Sequence, residues 1–81
     1  MSNQIVSASQ TRAARAWLNI SIDDLANEAG VGRRAVADFE RGARVPYDRT
    51  LVAMRDALER LGATFVFENG NPVGVLFSDR G

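Results

Sequence analysis

Apolar residues recur at two different spacings along the chain, and the change between them separates a helical part from a short β part. Residues 8–18 are rich in helix formers, and Ala14, Trp17 and Leu18 lie three and four positions apart, which predicts one inward face. Residues 48–61 repeat this pattern with a stripe of four apolar side chains: Leu51, Met54, Leu58 and Leu61. Both segments are therefore predicted helices.

Between these two helices, the stretch SIDDLANEAGVGRRAVADFERG predicts two shorter helices joined by a tight turn. They cover residues 21–29 and 33–41, and their apolar positions suit one buried seam: Leu25, Ala29, Val31, Val36 and Phe39. Ser21 followed by Asp24 resembles a capping box, and Gly30 supplies a residue that ends helices in a left-handed conformation. The second short helix opens with two arginines. Polar donors at that position are typical of a helix-turn-helix that reads DNA.

The chain changes character after Gly62, where β-branched and aromatic residues replace the helical pattern. Residues 63–68 and 73–77 predict two strands, and 69–72 predicts the turn because Asn-Gly is a strong hairpin signal. Gly74 marks a candidate β-bulge. An isolated two-stranded hairpin is marginal in water, so we expect its apolar residues to pack on the helices or on a second subunit.

Composition narrows the classes of function. A length of 81 residues suits one domain, and 46% hydrophobic residues indicate a globular chain. The chain has no cysteine and no histidine, which removes disulfides, the usual general base and the commonest metal ligand. We therefore expect no enzyme, no metal and no cofactor. With no long apolar run and no signal peptide, the expected location is the cytoplasm, in association with the nucleoid.

Charge is distributed unevenly although the formal net charge is zero. Residues 17–32 carry three carboxylates and no cation, whereas residues 33–49 carry five arginines against three carboxylates. This local excess of cations is compatible with a DNA-binding surface. The adjacent carboxylates Asp23 and Asp24 could suggest acid–base catalysis, but neighbours on a helix do not face each other. They are interpreted as charges that complement the helix dipole.

Residues 11–61 resemble the Cro/CI-type (XRE-type) helix-turn-helix regulators of bacteria and phages. The resemblance rests on RAAR before the motif, P-x-x-x-TL after it, and the family's small, turn and apolar positions, which are Leu25, Ala26, Gly30, Val31, Val36 and Phe39. The tail GATFVFENGNPVGVLF is similar to the strand-pair tail of a small bacterial subgroup. This chain departs from the family pattern at two positions. It has Ile22 where many relatives have glutamine, and Gly32 where serine or threonine is usual. A hairpin also replaces the usual fifth helix.

The resemblance implies a domain of four or five helices that usually acts as a homodimer. We predict a mainly α fold, a four-helix Cro/CI-like domain followed by a C-terminal β-hairpin whose apolar residues dimerise. We divide the chain into a flexible N-terminus (1–7), a DNA-binding domain (8–61) and a dimerisation hairpin (62–81). Homodimers of this family usually bind two-fold symmetric operators. The family pattern also implies a structural ion pair between Arg15 and Glu40, for which the alternative is two unrelated surface charges.

The third helix is expected to enter the major groove with its N-terminal half, so that Arg33, Arg34, Ala37 and Asp38 face the bases. Arginine can donate two hydrogen bonds to guanine. Asp38 could accept from cytosine, or it could orient Arg34 four residues earlier. We favour orientation because a carboxylate near phosphates is otherwise unfavourable.

Phosphate contacts are expected around this helix, from the helix starts at Ser21 and Gly32 and from exposed arginines. The arginines are Arg41 and Arg44, with Arg12 and Arg49 as weaker candidates. For every one of them the alternative is a solvated surface charge. We expect Trp17 to lie in the core rather than to stack on a base.

The hairpin is predicted to form the dimer interface through Phe65, Phe67, Val75 and Phe77, with Leu58 beneath. The favoured function is a DNA-binding transcriptional regulator, a homodimeric repressor of a double-stranded operator. The alternative is a protein-interaction module, such as an antiactivator or an antitoxin-like partner that binds another protein through the apolar tail.

Overall fold

Four helices precede a two-stranded antiparallel hairpin, which confirms the predicted fold class. In the computed structural model, which describes residues 5–77, the elements are α1 (Ala8–Leu18), α2 (Ile22–Ala29), α3 (Arg33–Glu40), α4 (Asp48–Arg60), β1 (Ala63–Glu68) and β2 (Asn71–Phe77). The helix bounds agree with the predicted ones to within one residue. The first four residues of the predicted flexible N-terminus, and residues 78–81 of the tail, lie outside the described residues. None of the helices within residues 5–77 is long and apolar enough to cross a membrane.

Short-range signals fix where the helices begin and end. Ser7 caps α1 in a reciprocal capping box with Gln10, and Ser21 caps α2 in the same way with Asp24. α2 ends at Gly30, whose φ of 69° lies in the left-handed region that glycine adopts at little cost. These local hydrogen bonds explain why the short helices form where the sequence pattern predicts them.

The core lies between the four helices and the inner face of the hairpin. α2 packs against α3 and α4, while the hairpin packs against α1 and α4. The apolar side chains that are fully or almost fully buried come from all of these elements: Ala14, Leu25, Val36, Met54, Ala57, Leu58 and Phe65. The helix-turn-helix and the hairpin therefore share one core.

Trp17 does not lie in the core, so its predicted burial is wrong. Its side chain is 66% exposed, and its ring stacks on Phe77 at a centroid distance of 4.8 Å. The inward face of α1 contains Ala14, as predicted, together with Gln10 and Thr11. Two of these are polar residues, which an apolar pattern cannot identify as buried.

The hairpin turn is shorter than predicted. Asn69 and Gly70 have φ values of 54° and 81°, the two positive values that a two-residue hairpin turn of type I′ requires. β2 therefore begins at Asn71, two residues before its predicted start. The bulge lies beside the predicted Gly74: Val66 pairs with Gly74 and Phe67 pairs with Pro72, which leaves one extra residue on β2.

Candidate nucleic-acid interface

The C-terminal end of α3 is joined to α1 by a bidentate ion pair. Arg15 Nε and Nη2 donate to the two carboxylate oxygens of Glu40 at 2.9 and 2.8 Å, and Arg15 Nη1 donates to the carbonyl oxygen of Ile20 at 3.1 Å. Glu40 is only 4% exposed. The hydrogen bond with Glu40 raises the pKa of the Arg15 guanidinium, while burial acts in the opposite direction. This pair fixes the orientation of α3 relative to α1.

Arg12 also contacts the end of α3. Its guanidinium donates to the backbone carbonyl of Glu40 and to the hydroxyl of Ser9. The last carbonyl groups of a helix have no partner inside the helix, and a cation there complements the helix dipole. The structure thus gives Arg12 a structural hydrogen bond at the position for which a phosphate contact is predicted.

The exposed face of α3 presents the residues predicted to read bases. Arg33 and Arg34 are exposed, Ala37 and Asp38 are half-buried, and Val36 is fully buried on the opposite face. The position of Val36 matches the burial that its spacing predicts. Cations therefore dominate the outward side of the helix start.

Asp38 lies between two arginines of this face. Its carboxylate oxygens are 3.7 Å from Arg34 Nε and 2.9 Å from Arg41 Nη2. The Arg34 side chain is 92% exposed, whereas that of Asp38 is 15% exposed. A partly buried carboxylate thus lies beside two guanidinium groups that extend into solvent.

Arg33 has a partner on the other helix of the motif. Its Nε lies 2.7 Å from Asp23 Oδ1, and both side chains are about two-thirds exposed. The sequence pattern does not predict this pair, because it assigns Asp23 only to the dipole of α2. The alternation of an acidic start of α2 with a basic start of α3 is the signal that could have indicated it, because the motif brings the two helices together.

The predicted phosphate contacts border this face. The Ser21 hydroxyl is occupied by its hydrogen bond with the backbone N–H of Asp24. Gly32 offers no side-chain hydrogen bond to the first turn of α3, and first-turn N–H groups have no partner inside a helix. Arg44 is exposed in the loop after α3. Arg49 is exposed near the start of α4, with its guanidinium 5.9 Å from the ring centre of Tyr47.

Of the five residues predicted for the dimer interface, two lie inside the chain's own core and three pack against it. Leu58 and Phe65 are 0% and 5% exposed, while Phe67, Val75 and Phe77 are partly buried against that core. Side chains within the core have no surface to offer a second copy. The large apolar side chains that are exposed on the hairpin are Val73 and Leu76, at 55% and 63%.

Two short helices at a tight turn, with two arginines at the start of the second helix and an ion pair at its end, have the geometry of a helix-turn-helix DNA-binding domain. A family model described as HTH_3, Helix-turn-helix, matches residues 12–61. The match covers more than half of the chain, so the chain belongs to this XRE-type helix-turn-helix family of DNA-binding regulators. The predicted family is therefore confirmed. A comparison with curated proteins found no match.

Proposed function

We propose that the chain is a sequence-specific transcriptional repressor that binds a pseudo-palindromic operator as a homodimer, with α3 in the major groove. The observation that carries this proposal is the start of α3, where Arg33 and Arg34 extend into solvent and each has a carboxylate partner. The opposite end of α3 is fixed by the pair of Arg15 and Glu40. A rigid helix with directed arginines suits direct reading of base edges.

Base reading is assigned to the two arginines at the start of α3. Each guanidinium can donate two hydrogen bonds to guanine, a contact worth about 1–3 kcal/mol of discrimination. Asp23 and Asp38 restrict these side chains before DNA arrives, which lowers the entropy cost of ordering them. The same carboxylates repel phosphates, so they favour discrimination between sequences over general affinity. Ala37 is small and leaves room for close approach of a base edge.

Phosphate contacts are assigned to groups that surround α3. The backbone N–H groups at the helix starts after Ser21 and Gly32 suit an anion. Arg41, Arg44 and Arg49 lie in and beside the loop that follows α3, where they would contact the sugar–phosphate backbone. Such contacts set the register of the protein on DNA without reading its sequence.

Dimerisation is assigned to the outer side of the hairpin. Val73 and Leu76 expose apolar surface on the hairpin, and in the described sheet of two strands each strand has one open edge. Pairing with a second hairpin would cover both features. Two copies of α3 would then lie about 34–36 Å apart, one turn of DNA. A dimer bound across a promoter would block access of the polymerase.

The exposed hairpin residues also favour a second candidate function. Val73, Leu76 and Trp17 could contact a different protein, as in an antiactivator or an antitoxin-like partner. The zero net charge of the chain is compatible with this role. The two functions are separable, because a protein partner would not require the arginines at the start of α3.

A titration of labelled DNA from upstream of the coding gene tests the proposed function. We expect binding that weakens steeply as salt rises. Arg33→Ala and Arg34→Ala should each lower the affinity for the operator by roughly 5- to 150-fold, the equivalent of 1–3 kcal/mol. Arg60→Ala is the matched control, because Arg60 is exposed and pairs with Glu28 away from α3. Equal binding by all four proteins would exclude α3 as the reader.

A further inference from the structure

One buried polar side chain connects α1 with both strands of the hairpin. Gln10 is 4% exposed. Its amide nitrogen Nε2 donates to the carbonyl oxygens of Val66 and Gly74, at 3.1 and 2.9 Å. Its Oε1 accepts from the backbone N–H of Ser7 at 3.0 Å. A single side chain thus contacts the start of a helix and two strands more than fifty residues away.

The chemistry of this contact requires glutamine. Two carbonyl oxygens need two N–H donors, and the amide group of glutamine supplies both while its oxygen accepts from Ser7. Glutamate offers no donor when ionised, and methionine offers none at all. Since both amide protons and the amide oxygen have partners, burial of this group leaves no unsatisfied donor to oppose folding.

The position of the two carbonyl groups links this contact to the register of the hairpin. Val66 and Gly74 are paired residues on opposite strands, and the ladder shifts register directly after Val66. A slip of one strand past the other would carry one of the two carbonyl groups away from Nε2. The Gln10 amide therefore favours one register and one placement of the hairpin on α1.

We infer that Gln10 is a positioning residue that fixes the hairpin on the helix-turn-helix unit and, through it, the separation of the two copies of α3 in the dimer. The second half of this inference rests on the proposed function. The described part of the chain extends 33 Å along its longest axis. Over half of this extent, a hairpin tilt of about 10° displaces α3 by about 3 Å, close to the rise of one base pair.

The unaltered protein offers the first test. In NMR spectra we expect the side-chain amide protons of Gln10 to exchange with solvent far more slowly than those of Asn27, which is exposed on α2. Cross-hydrogen-bond couplings from Gln10 Nε2 to the carbonyl groups of Val66 and Gly74 should be detectable. If the Gln10 amide protons exchange as fast as those of Asn27, the inference is overturned.

A pair of variants separates the hairpin contact from helix capping. Gln10→Glu retains an acceptor for the Ser7 N–H, as capping boxes with glutamate do, but loses both donors. Ser7→Ala removes the hydroxyl that caps α1 and leaves the Gln10 donors. Gln10→Glu should accelerate hydrogen exchange of the hairpin amides by about tenfold or more relative to α2 amides, since two partly buried carbonyl groups lose their donor. Ser7→Ala should leave that ratio unchanged.

If Gln10→Glu accelerates hydrogen exchange equally in the hairpin and in α2, or in neither, Gln10 does not position the hairpin. If Gln10→Glu does not fold, the amide measurement on the unaltered protein decides the question. A third outcome, in which Ser7→Ala accelerates hairpin exchange as much as Gln10→Glu, would assign the effect to helix capping and overturn the inference.

DNA binding tests the effect on spacing. On duplexes whose half-site separation varies one base pair at a time, the unaltered protein should prefer one spacing by about tenfold, because a displaced half-site loses base contacts. Gln10→Glu should bind neighbouring spacings almost equally while its affinity for one half-site is unchanged. An unaltered spacing preference would overturn the role in the dimer. If the unaltered protein binds none of these duplexes, the proposed function is wrong. The role of Gln10 in placing the hairpin on α1 is then decided by hydrogen exchange alone.

Discussion

Glu40→Gln changes one atom of the carboxylate that joins α1 to α3, and its effect on stability can be worked from the contacts. The two carboxylate oxygens accept from Arg15 Nε and Nη2 at 2.9 and 2.8 Å. Glutamine has nearly the same shape but only one acceptor, so its amide N–H₂ group would face a guanidinium donor. The variant therefore keeps the packing, loses one hydrogen bond to a charged group, and leaves the Arg15 cation without a counter-charge.

The magnitude follows from the burial of the two partners. Removal of one partner from a buried ion pair costs about 3–5 kcal/mol, and loss of one charged hydrogen bond costs about 1.5–3 kcal/mol. The Arg15 side chain retains 24% exposure, so water partly compensates the unpaired charge. We expect a loss of about 2–4 kcal/mol of the free energy of unfolding. For a domain of this size, that lowers the melting temperature by at least about 8 °C.

Urea and thermal denaturation followed by circular dichroism measure this loss. Glu28→Gln is the matched control, because Glu28 is half-exposed and its carboxylate is 3.9 Å from Arg60. It should change stability by less than about 0.5 kcal/mol. The hydrogen bond raises the pKa of Arg15, so this stabilisation is present below the ordinary arginine value and is lost only as pH rises through the raised one. The difference in the free energy of unfolding between parent and variant should thus be the same at neutral and mildly alkaline pH. If Glu40→Gln is no more destabilising than Glu28→Gln, the pair does not hold α3.

Three further substitutions test other parts of the account. Gly30→Ala should lower the free energy of unfolding in urea by about 1–2 kcal/mol, because alanine must adopt a φ of 69° there. The added Cβ meets no atom within 4 Å, so the cost comes from the backbone alone. An unchanged urea midpoint would show that the backbone relaxes. Asp23→Asn should free Arg33, strengthen binding to unrelated DNA at low salt and reduce the ratio of operator to unrelated affinity; an unchanged ratio would show that Asp23 does not direct Arg33. Leu76→Arg should shift sedimentation velocity profiles from dimer to monomer without changing the circular dichroism spectrum, whereas an unchanged dimer would place the interface elsewhere.

The helices were predictable because their determinants are local. The capping boxes at Ser7 and Ser21 and the left-handed residue Gly30 act within four residues of the chain, where sequence spacing specifies geometry directly. The Asn69–Gly70 turn is local in the same sense. Apolar spacing also predicted the inward positions of Leu25 and Val36, because both lie on helices with one polar face.

The contacts between distant elements could not be predicted in the same way. Gln10 is buried because two strand carbonyl groups more than fifty residues away accept its hydrogen bonds, and no helical pattern contains that information. Trp17 is exposed, with its ring stacked on Phe77 of the hairpin, and its own spacing on α1 does not reveal this. The pair of Asp23 and Arg33 depends on how two short helices cross. In each case the partner, rather than the residue type, decides the environment.

The predicted site residues fall into two groups for the same reason. The exposure of Arg33 and Arg34 follows from the buried positions of Val36 and Phe39 on the same helix. The environment of Leu58 and Phe65 depends instead on whether the hairpin folds back on its own helices. Hydrophobicity alone does not distinguish a core of one chain from an interface between two, because both are apolar.

In vitro selection from a random duplex library shows directly whether α3 reads DNA through its first-turn arginines. We predict an enriched motif with two-fold symmetry, a guanine in each half-site and half-sites about one helical turn apart. Selection with Arg33→Ala or Arg34→Ala should lose the preference at a guanine position and retain the rest of the motif. An enriched motif that is identical for the parent and both variants, or the absence of any enriched motif, would contradict the account.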